Sequence, residues 1–201
     1  MNLSRQSSRA GRGLRALALT SVLALGATAC SDGSSSAGSS ASAPDAKKAS
    51  VALKAGLKAH SAGDLSAAEA DYNKTLKYDA KNKFAFYNLA LIDAANGNYG
   101  IAEQHYRAAL KTDPAYEPAL FNLAILRNAN KDTAEAISLY KRAVAANPKD
   151  AAAWLNLGLL LRQEGQEKAG DTAVLRAIGL NPELKDPNPP AKAKAKAPSG
   201  G

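Results

Sequence analysis

The chain has 201 residues and carries 26 Lys+Arg against 18 Asp+Glu, a formal charge of +8. That length suits one or two modest domains, and that charge first points to nucleic acid or an anionic membrane. One Cys excludes a disulfide framework, an iron–sulfur cluster and an all-Cys zinc site, and His60 and His105 cannot make a polyhistidine metal centre unless they meet in space.

Residues 1–15 are polar and hold Arg5, Arg9, Arg12 and Arg15 with no acid, so half of the net charge sits here. The uncharged run 16–30 follows, with Leu17, Leu19, Val22, Leu23 and Leu25 as its apolar content. Fifteen helical residues span about 22 Å, short of a hydrocarbon core of roughly 30 Å. The segment 1–29 therefore reads as a cleaved export signal, and without a twin-Arg pair it points to the general secretion route. Ala27-Thr28-Ala29 suits cleavage, and the chain's Cys stands at the next position.

The run Leu25-Gly26-Ala27-Thr28-Ala29-Cys30 resembles a bacterial lipoprotein lipobox, departing from it at Ala27, where that family usually has Leu. The resemblance implies a diacylglyceryl thioether on Cys30 and, after cleavage, an acylated N-terminus. Each buried CH₂ of such chains contributes about 0.8 kcal/mol, so two or three chains hold a protein firmly. The expected location is the extracytoplasmic face of the bacterial cell membrane, lipid-anchored. The alternative is an incidental thiol in a secreted protein; the placement of Cys30 at the cleavage point favours the lipid. From Cys30 to Lys48 the chain is Ser/Gly/Ala-rich and balanced in charge, and it is expected to act as a flexible tether over 30–48.

Four segments of 34 residues then align without a gap: 49–82, 83–116, 117–150 and 151–184. Phe86, Leu120 and Trp154 hold position 4, and Leu89, Leu123 and Leu157 position 7. Position 8 is small throughout (Gly56, Ala90, Ala124, Gly158), as is position 20 (Ala68, Ala102, Ala136, Gly170). Position 24 is Tyr72, Tyr106, Tyr140 and Val174; Pro114, Pro148 and Pro182 hold position 32. Apolar residues recur at i, i+3, i+4 and i+7 in both halves of each unit, as on amphipathic helices. About half of the 46% hydrophobic fraction is Ala, which suits closely packed helices and is depleted in strands. Asp132-Thr133-Ala134-Glu135 reads as a capping box, and Lys131 replaces the Gly found at the equivalent turns, Gly63, Gly97 and Gly165.

This pattern resembles the tetratricopeptide repeat (TPR) family, most completely as Trp154-x₂-Leu157-Gly158 followed by Gly170, Val174 and Pro182. The resemblance implies an all-α fold, a right-handed α-solenoid of four TPR helix-turn-helix repeats over 49–184. It also implies that the first helix of each repeat lines a concave groove. Carried over position by position, the peptide-binding residues are Asn88, Asn122 and Asn156 at position 6, Tyr87 and Phe121 at position 5, and Leu91, Ile125 and Leu159 at position 9. Asn128 and Arg162 follow at position 12. Three Asn one repeat apart resemble an asparagine ladder that holds an extended backbone, since one amide both donates and accepts. The alternative is that each Asn only bonds a neighbouring helix. The basic clamp of chaperone-binding members is not expected, because positions 5 and 9 are apolar.

Val174, Ile178 and Leu180 of the last repeat, with no capping helix after Leu184, are expected to leave an apolar face partly open. The tail 185–201 carries +3, is Pro/Lys/Ala-rich and reads as disordered. No H-E-x-x-H, P-loop, G-x-S-x-G or dinucleotide fingerprint is present. The expectation is a non-enzyme with no catalytic residues, no metal and no cofactor beyond the covalent lipid. The expected function is a protein- or peptide-binding scaffold in the cell envelope; the alternative is a structural subunit of a pilus, secretion or other envelope assembly, a homo-oligomer formed through the last repeat. A cell-wall polymer binder using the Lys tail is a third, minor option. Because the repeats carry only +1, nucleic acid is not an expected partner.

Overall fold

The computed structural model describes residues 43–189. The segment read as an export signal, Cys30, the stretch read as a tether up to residue 42 and the tail from residue 190 lie outside the described residues. Eight helices follow in order: α1 (Ala43–Ser61), α2 (Leu65–Tyr78), α3 (Lys83–Ala95), α4 (Tyr99–Thr112), α5 (Glu117–Ala129), α6 (Thr133–Ala146), α7 (Ala151–Gln163) and α8 (Glu167–Leu180). They form four helical hairpins that fall on the four 34-residue units, and each helix packs on the next in chain order. No strand occurs among the described residues. The fold is an all-α helical-repeat solenoid.

Helix α1 starts at Ala43, inside the stretch read as tether. The extension is physically reasonable: Pro44 falls in the first turn, where a missing N–H costs nothing, and Asp45 complements the helix N-terminus. Ala49 and Ala52 are buried, so the first repeat packs through small side chains.

Every hairpin turns in the same way. The N–H after each turn residue reaches the carbonyl five positions back: Asp64 to Ala59, Asn98 to Asp93, Asp132 to Arg127 and Gln166 to Leu161, at 2.8–3.0 Å. This helix ending requires a left-handed residue at its centre. Gly63, Gly97 and Gly165 supply it with φ of 79°, 79° and 75°, and Lys131 adopts φ 65° at the fourth. For a non-glycine residue that conformation costs about 1–2 kcal/mol.

The expected capping box forms only by half. Asp132 Oδ1 accepts from Glu135 N at 3.3 Å, but the Asp132 N–H is already taken by Arg127 O. Glu135 instead pairs with Arg107 and with Arg127, each at 2.7 Å. A carboxylate gains more from two guanidinium groups than from one backbone N–H.

The core lies between paired helices. Tyr72, Tyr106 and Tyr140 are buried at position 24, and Ala90 and Ala124, the small residues of position 8, are fully buried too. A Cβ on Gly56 would stand 2.7 Å from Tyr72 Cε1. In the last repeat the approach is closer still. A Cβ on Gly158 would meet Val174 Cγ2 at 2.7 Å and Gly170 O at 2.8 Å; one on Gly170 would meet Gly158 O at 2.7 Å.

This contact closes the last repeat at Val174, while the rest of its apolar face stays partly open. Val174 is buried, Ile178 and Leu180 are half-buried, and Leu175 is the large apolar residue of α8 left exposed. The tail is corrected where it is described. Beyond a turn closed by Leu184 N to Asn181 O, Asp186 holds Arg162 through 2.8 Å and 3.0 Å bonds, so residues 185–189 fold back on α7.

The helix contact predicts opposite outcomes for two glycines. Gly158→Ala must push backbone apart and should cost about 1–3 kcal/mol. Gly179→Ala, in the same hairpin with nothing within 4 Å of the new Cβ, should gain about 0.5–1 kcal/mol. Urea unfolding followed by helical circular dichroism checks both.

Candidate functional site

Positions 2, 5, 6, 9 and 12 of each repeat fall on its odd-numbered helix, and the Asn122–Tyr87 bond brings those of α3 and α5 together. Leu57, Phe84 and Ile125 on this face are large apolar side chains left at 40–46% exposure. Tyr87, Leu91, Phe121, Leu155 and Leu159 are half-buried between them. Apolar side chains left exposed in this way are a place where another chain can dock.

The ladder amides differ from one another. Asn88 is buried, and its Nδ2 donates to Phe84 O at 2.8 Å. Asn122 is half-buried and its Nδ2 donates to Pro118 O at 2.8 Å and to the Tyr87 hydroxyl at 3.3 Å. Asn156 is half-buried and makes no such bond. Two of the three are therefore held by their own helix through Nδ2, and of these Asn122 also bonds a neighbouring helix through the Tyr87 hydroxyl. Each still has the amide oxygen as an acceptor.

Around Asn122 the site is aromatic. The Tyr87 ring stands edge-on to Tyr116 at 5.4 Å and tilted to Tyr106 at 6.0 Å, while Phe121 stands edge-on to Tyr140 at 5.6 Å. Such T-shaped pairs fix ring positions beyond what area burial alone achieves. Lys83 Nζ sits 5.1 Å from the Phe84 ring and 5.0 Å from that of Tyr116, and bonds Asp113 at 2.6 Å.

Next to these rings lie two carboxyls that the groove pattern does not include. Asp150 caps α7, its Oδ1 accepting from Ala152 N at 2.8 Å and Ala153 N at 3.1 Å. Glu117, in the first turn of α5, hydrogen-bonds to Asp150. Burial, that bond and the Asp150 charge push its carboxyl up to about 7. The pair is felt by its neighbours. Burial first and then the Glu117 charge raise Tyr87, with the Asn122 bond opposing; burial and then the Asp150 charge raise Tyr140.

At the other end of the odd helices Arg162 is spoken for. Its Nε bonds Asp171 at 2.7 Å, its Nη1 and Nη2 bond Asp186, and Nη1 reaches Asn188 O at 3.2 Å. These bonds hold the guanidinium charged, with Asp186 as the largest cause and burial opposing. Arg162, placed among the peptide-binding residues by its repeat position, therefore spends its guanidinium on Asp171 and Asp186. It lines an open cavity of about 570 Å³ with Leu159, Gln163, Pro187 and Asn188. Asn128 is exposed. His60 is half-buried with Nδ1 3.3 Å from the Tyr72 hydroxyl, and His105 Nδ1 is 2.7 Å from Asp93 Oδ2.

Sequence reasoning thus reached Tyr87, Phe121 and the Asn residues but missed Tyr116, Glu117 and Asp150. These hold positions 34, 1 and 34 of the repeat, which the carried-over groove positions omit. An N-cap Asp 33 residues after an acidic first-turn residue was the available signal. Among the described residues no group of three or more His, Cys, Asp or Glu could hold a metal ion, and no helix is long and apolar enough to cross a membrane.

Residues 56–179 match the family described as the Cilia and flagella-associated protein 70 middle TPR-like domain. Among solved structures, the crystal structure of MamA is similar with a TM-score of 0.61 and 18% identity, covering 76% of this chain and 83% of that one. MamA 41-end from Desulfovibrio magneticus RS-1 has a TM-score of 0.60 and 23% identity over 68% of this chain and 77% of that one. Pseudomonas aeruginosa pilF has a TM-score of 0.61 and 21% identity over 70% and 64%. At these identities the likeness is one of fold. No match to a curated protein sequence was found.

Glu117 gives the site a pH signature. Its folded carboxyl titrates near 7 against an ordinary 4.5, so the folded state binds the extra proton between those values. Stability must therefore fall as pH rises from 4.5 through 7. In Glu117→Gln that contribution is absent, so the variant should gain on the natural chain across this window. Urea midpoints at pH 4.5, 6 and 8 measure it; parallel curves would contradict it.

Proposed function

Because the chain belongs to this TPR-like family, we propose that it is a non-enzymatic protein-binding scaffold whose odd-helix face holds a segment of a partner protein. The observation that supports this most directly is that Leu57, Phe84 and Ile125 stay exposed on the odd helices, with the Asn122 amide and Tyr87 hydroxyl bonded across two of them. Apolar residues supply affinity there, and the Asn122, Asn156 and Tyr87 polar atoms fix the register of a bound backbone. Asn156 contributes a whole free amide, and Asn88 and Asn122 contribute their oxygens.

The partner is a protein of the cell envelope, and the scaffold works from the extracytoplasmic face of a bacterial membrane. What supports this part is the sequence 25–30 and the Ser/Gly/Ala stretch after it, which would let the repeats stand off a lipid anchored on Cys30.

Two measurements test the two halves. Ile125→Asp combined with Asn156→Ala should lose partners recovered from envelope extracts while keeping the helical signal of the natural chain; equal recovery of every partner removes this face from the function. Fatty-acid labelling in bacteria should vanish in Cys30→Ser, and labelling that persists sinks the anchor.

A further inference from the structure

Arg162 holds position 12 of the last repeat, on α7, and its stem lies against α8. A Cβ on Gly170 would fall 2.5 Å from Arg162 Cγ, so that glycine opens the track along which the side chain runs. The other repeats have Ala68, Ala102 and Ala136 in place of Gly170, and His60, Ala94 and Asn128 in place of Arg162. Asp171 on α8 fixes the plane of the guanidinium, its Oδ1 lying 2.7 Å from Nε. A second carboxylate then meets the outer nitrogens as a fork, Asp186 Oδ1 at 2.8 Å from Nη1 and Oδ2 at 3.0 Å from Nη2, with both side chains largely buried. Two parallel bonds of this kind are how an arginine recognises a carboxylate.

That second carboxylate comes from outside the repeats. The segment 185–189 is not helical, and its Lys185, Pro187 and Asn188 are exposed. Its polar hold on α7 is the Arg162 site itself: the two bonds of Asp186 and the 3.2 Å bond from Nη1 to Asn188 O. The segment does not fill the space before it. A cavity of about 570 Å³ remains, walled by Leu159 and Gln163 of α7, Glu167 and Asp171 of α8, and Pro187 and Asn188. What makes a buried pair costly to break is the charge left behind, and Asp171 spares the guanidinium that cost when Asp186 leaves. One carboxylate replacing another on the same fork also keeps the charge balance. Glu167 and Asp171 in the wall favour an incoming acid with a cation beside it, as Lys185 stands beside Asp186.

We propose that the segment 185–189 is a strap whose Asp186 stands in for a ligand on Arg162, and that an Asp of a partner segment takes this carboxylate site by displacing it. The segment recognised is extended, as Pro187 keeps Asp186, and carries a Lys next to its Asp. Through the cavity it meets Leu159 of the odd-helix face. Strap and partner then exclude one another at Arg162. This rests on the odd-helix face being the partner surface, but the strap and its site are measured without any partner.

The probe is a peptide that copies residues 184–189, Leu-Lys-Asp-Pro-Asn-Pro, acetylated and amidated so that the Asp side chain is its only carboxylate. It is titrated into the ¹⁵N-labelled full chain, with the backbone amides of α7 and α8 as reporters in NMR spectra. In Asp186→Ala, which frees the strap, the peptide should shift those amides to saturation. The natural chain should need about ten-fold more peptide, because a site closed about nine-tenths of the time loses that factor in apparent affinity. The same peptide with Asn for Asp should not bind. Asp186→Ala combined with Arg162→Lys keeps the charge but loses the fork, and should bind about ten-fold more weakly than Asp186→Ala at an unchanged helical signal. Equal affinity of the natural chain and Asp186→Ala overturns the strap. Equal binding of the Asn peptide, indifference to Arg162→Lys, or no binding to Asp186→Ala overturns the carboxylate site. The titration contains no partner, so its outcome is independent of recovery from envelope extracts and the two readings fail separately.

Discussion

The structure depends on how closely two helices of one repeat can lie. A Cβ at Gly158 would fall 2.8 Å from the Gly170 carbonyl, and one at Gly56 would fall on the Tyr72 ring. Position 8 must therefore be small, and once it is small a Tyr at position 24 can fill the space beside it with a large ring whose hydroxyl reaches the edge. Where the Tyr is absent, as at Val174, the helices close further and position 20 becomes Gly as well. The high Ala content has the same origin: short side chains at 68, 90, 102, 124 and 136 allow packing that bulky ones would prevent.

The repeat register was legible because it is written locally. Each turn needs one left-handed residue, each hairpin one small pair, and three of the four units end near a Pro; these recur every 34 residues and fix the eight described helices with few alternatives. Lys131 shows how strong the surroundings are. It takes a conformation that disfavours its side chain because the helix ending around it has the same bonds as its three Gly counterparts.

What the sequence did not disclose depends on residues far apart in the chain or on competition between partners. Arg162 sits at a groove position in the repeat pattern, but Asp186, outside the repeats, takes its guanidinium. The Glu135 side chain belongs to a capping box by its spacing, yet two arginines from other helices outbid one backbone N–H. Glu117 and Asp150 lie 33 positions apart, and only the hairpin geometry brings their carboxyls together. Asn88 and Asn122 could be named from the pattern, whereas the inward direction of their N–H groups could not.

The polar bonds between repeats are not evenly spread. Glu103 and Arg107 on α4 reach Arg127 and Glu135 on α5 and α6, and Arg142 adds a bond to Pro114 O. The next junction is crossed by the Trp154 indole N–H to Pro148 O. In a linear stack, where each unit leans only on its neighbours, unequal joints set an order of opening. The middle joint adds charge to apolar contact and is the one that added salt loosens most. The charged bonds therefore sit at the central joint of the array, and its hold on the two middle hairpins is the part that depends on the surrounding ions.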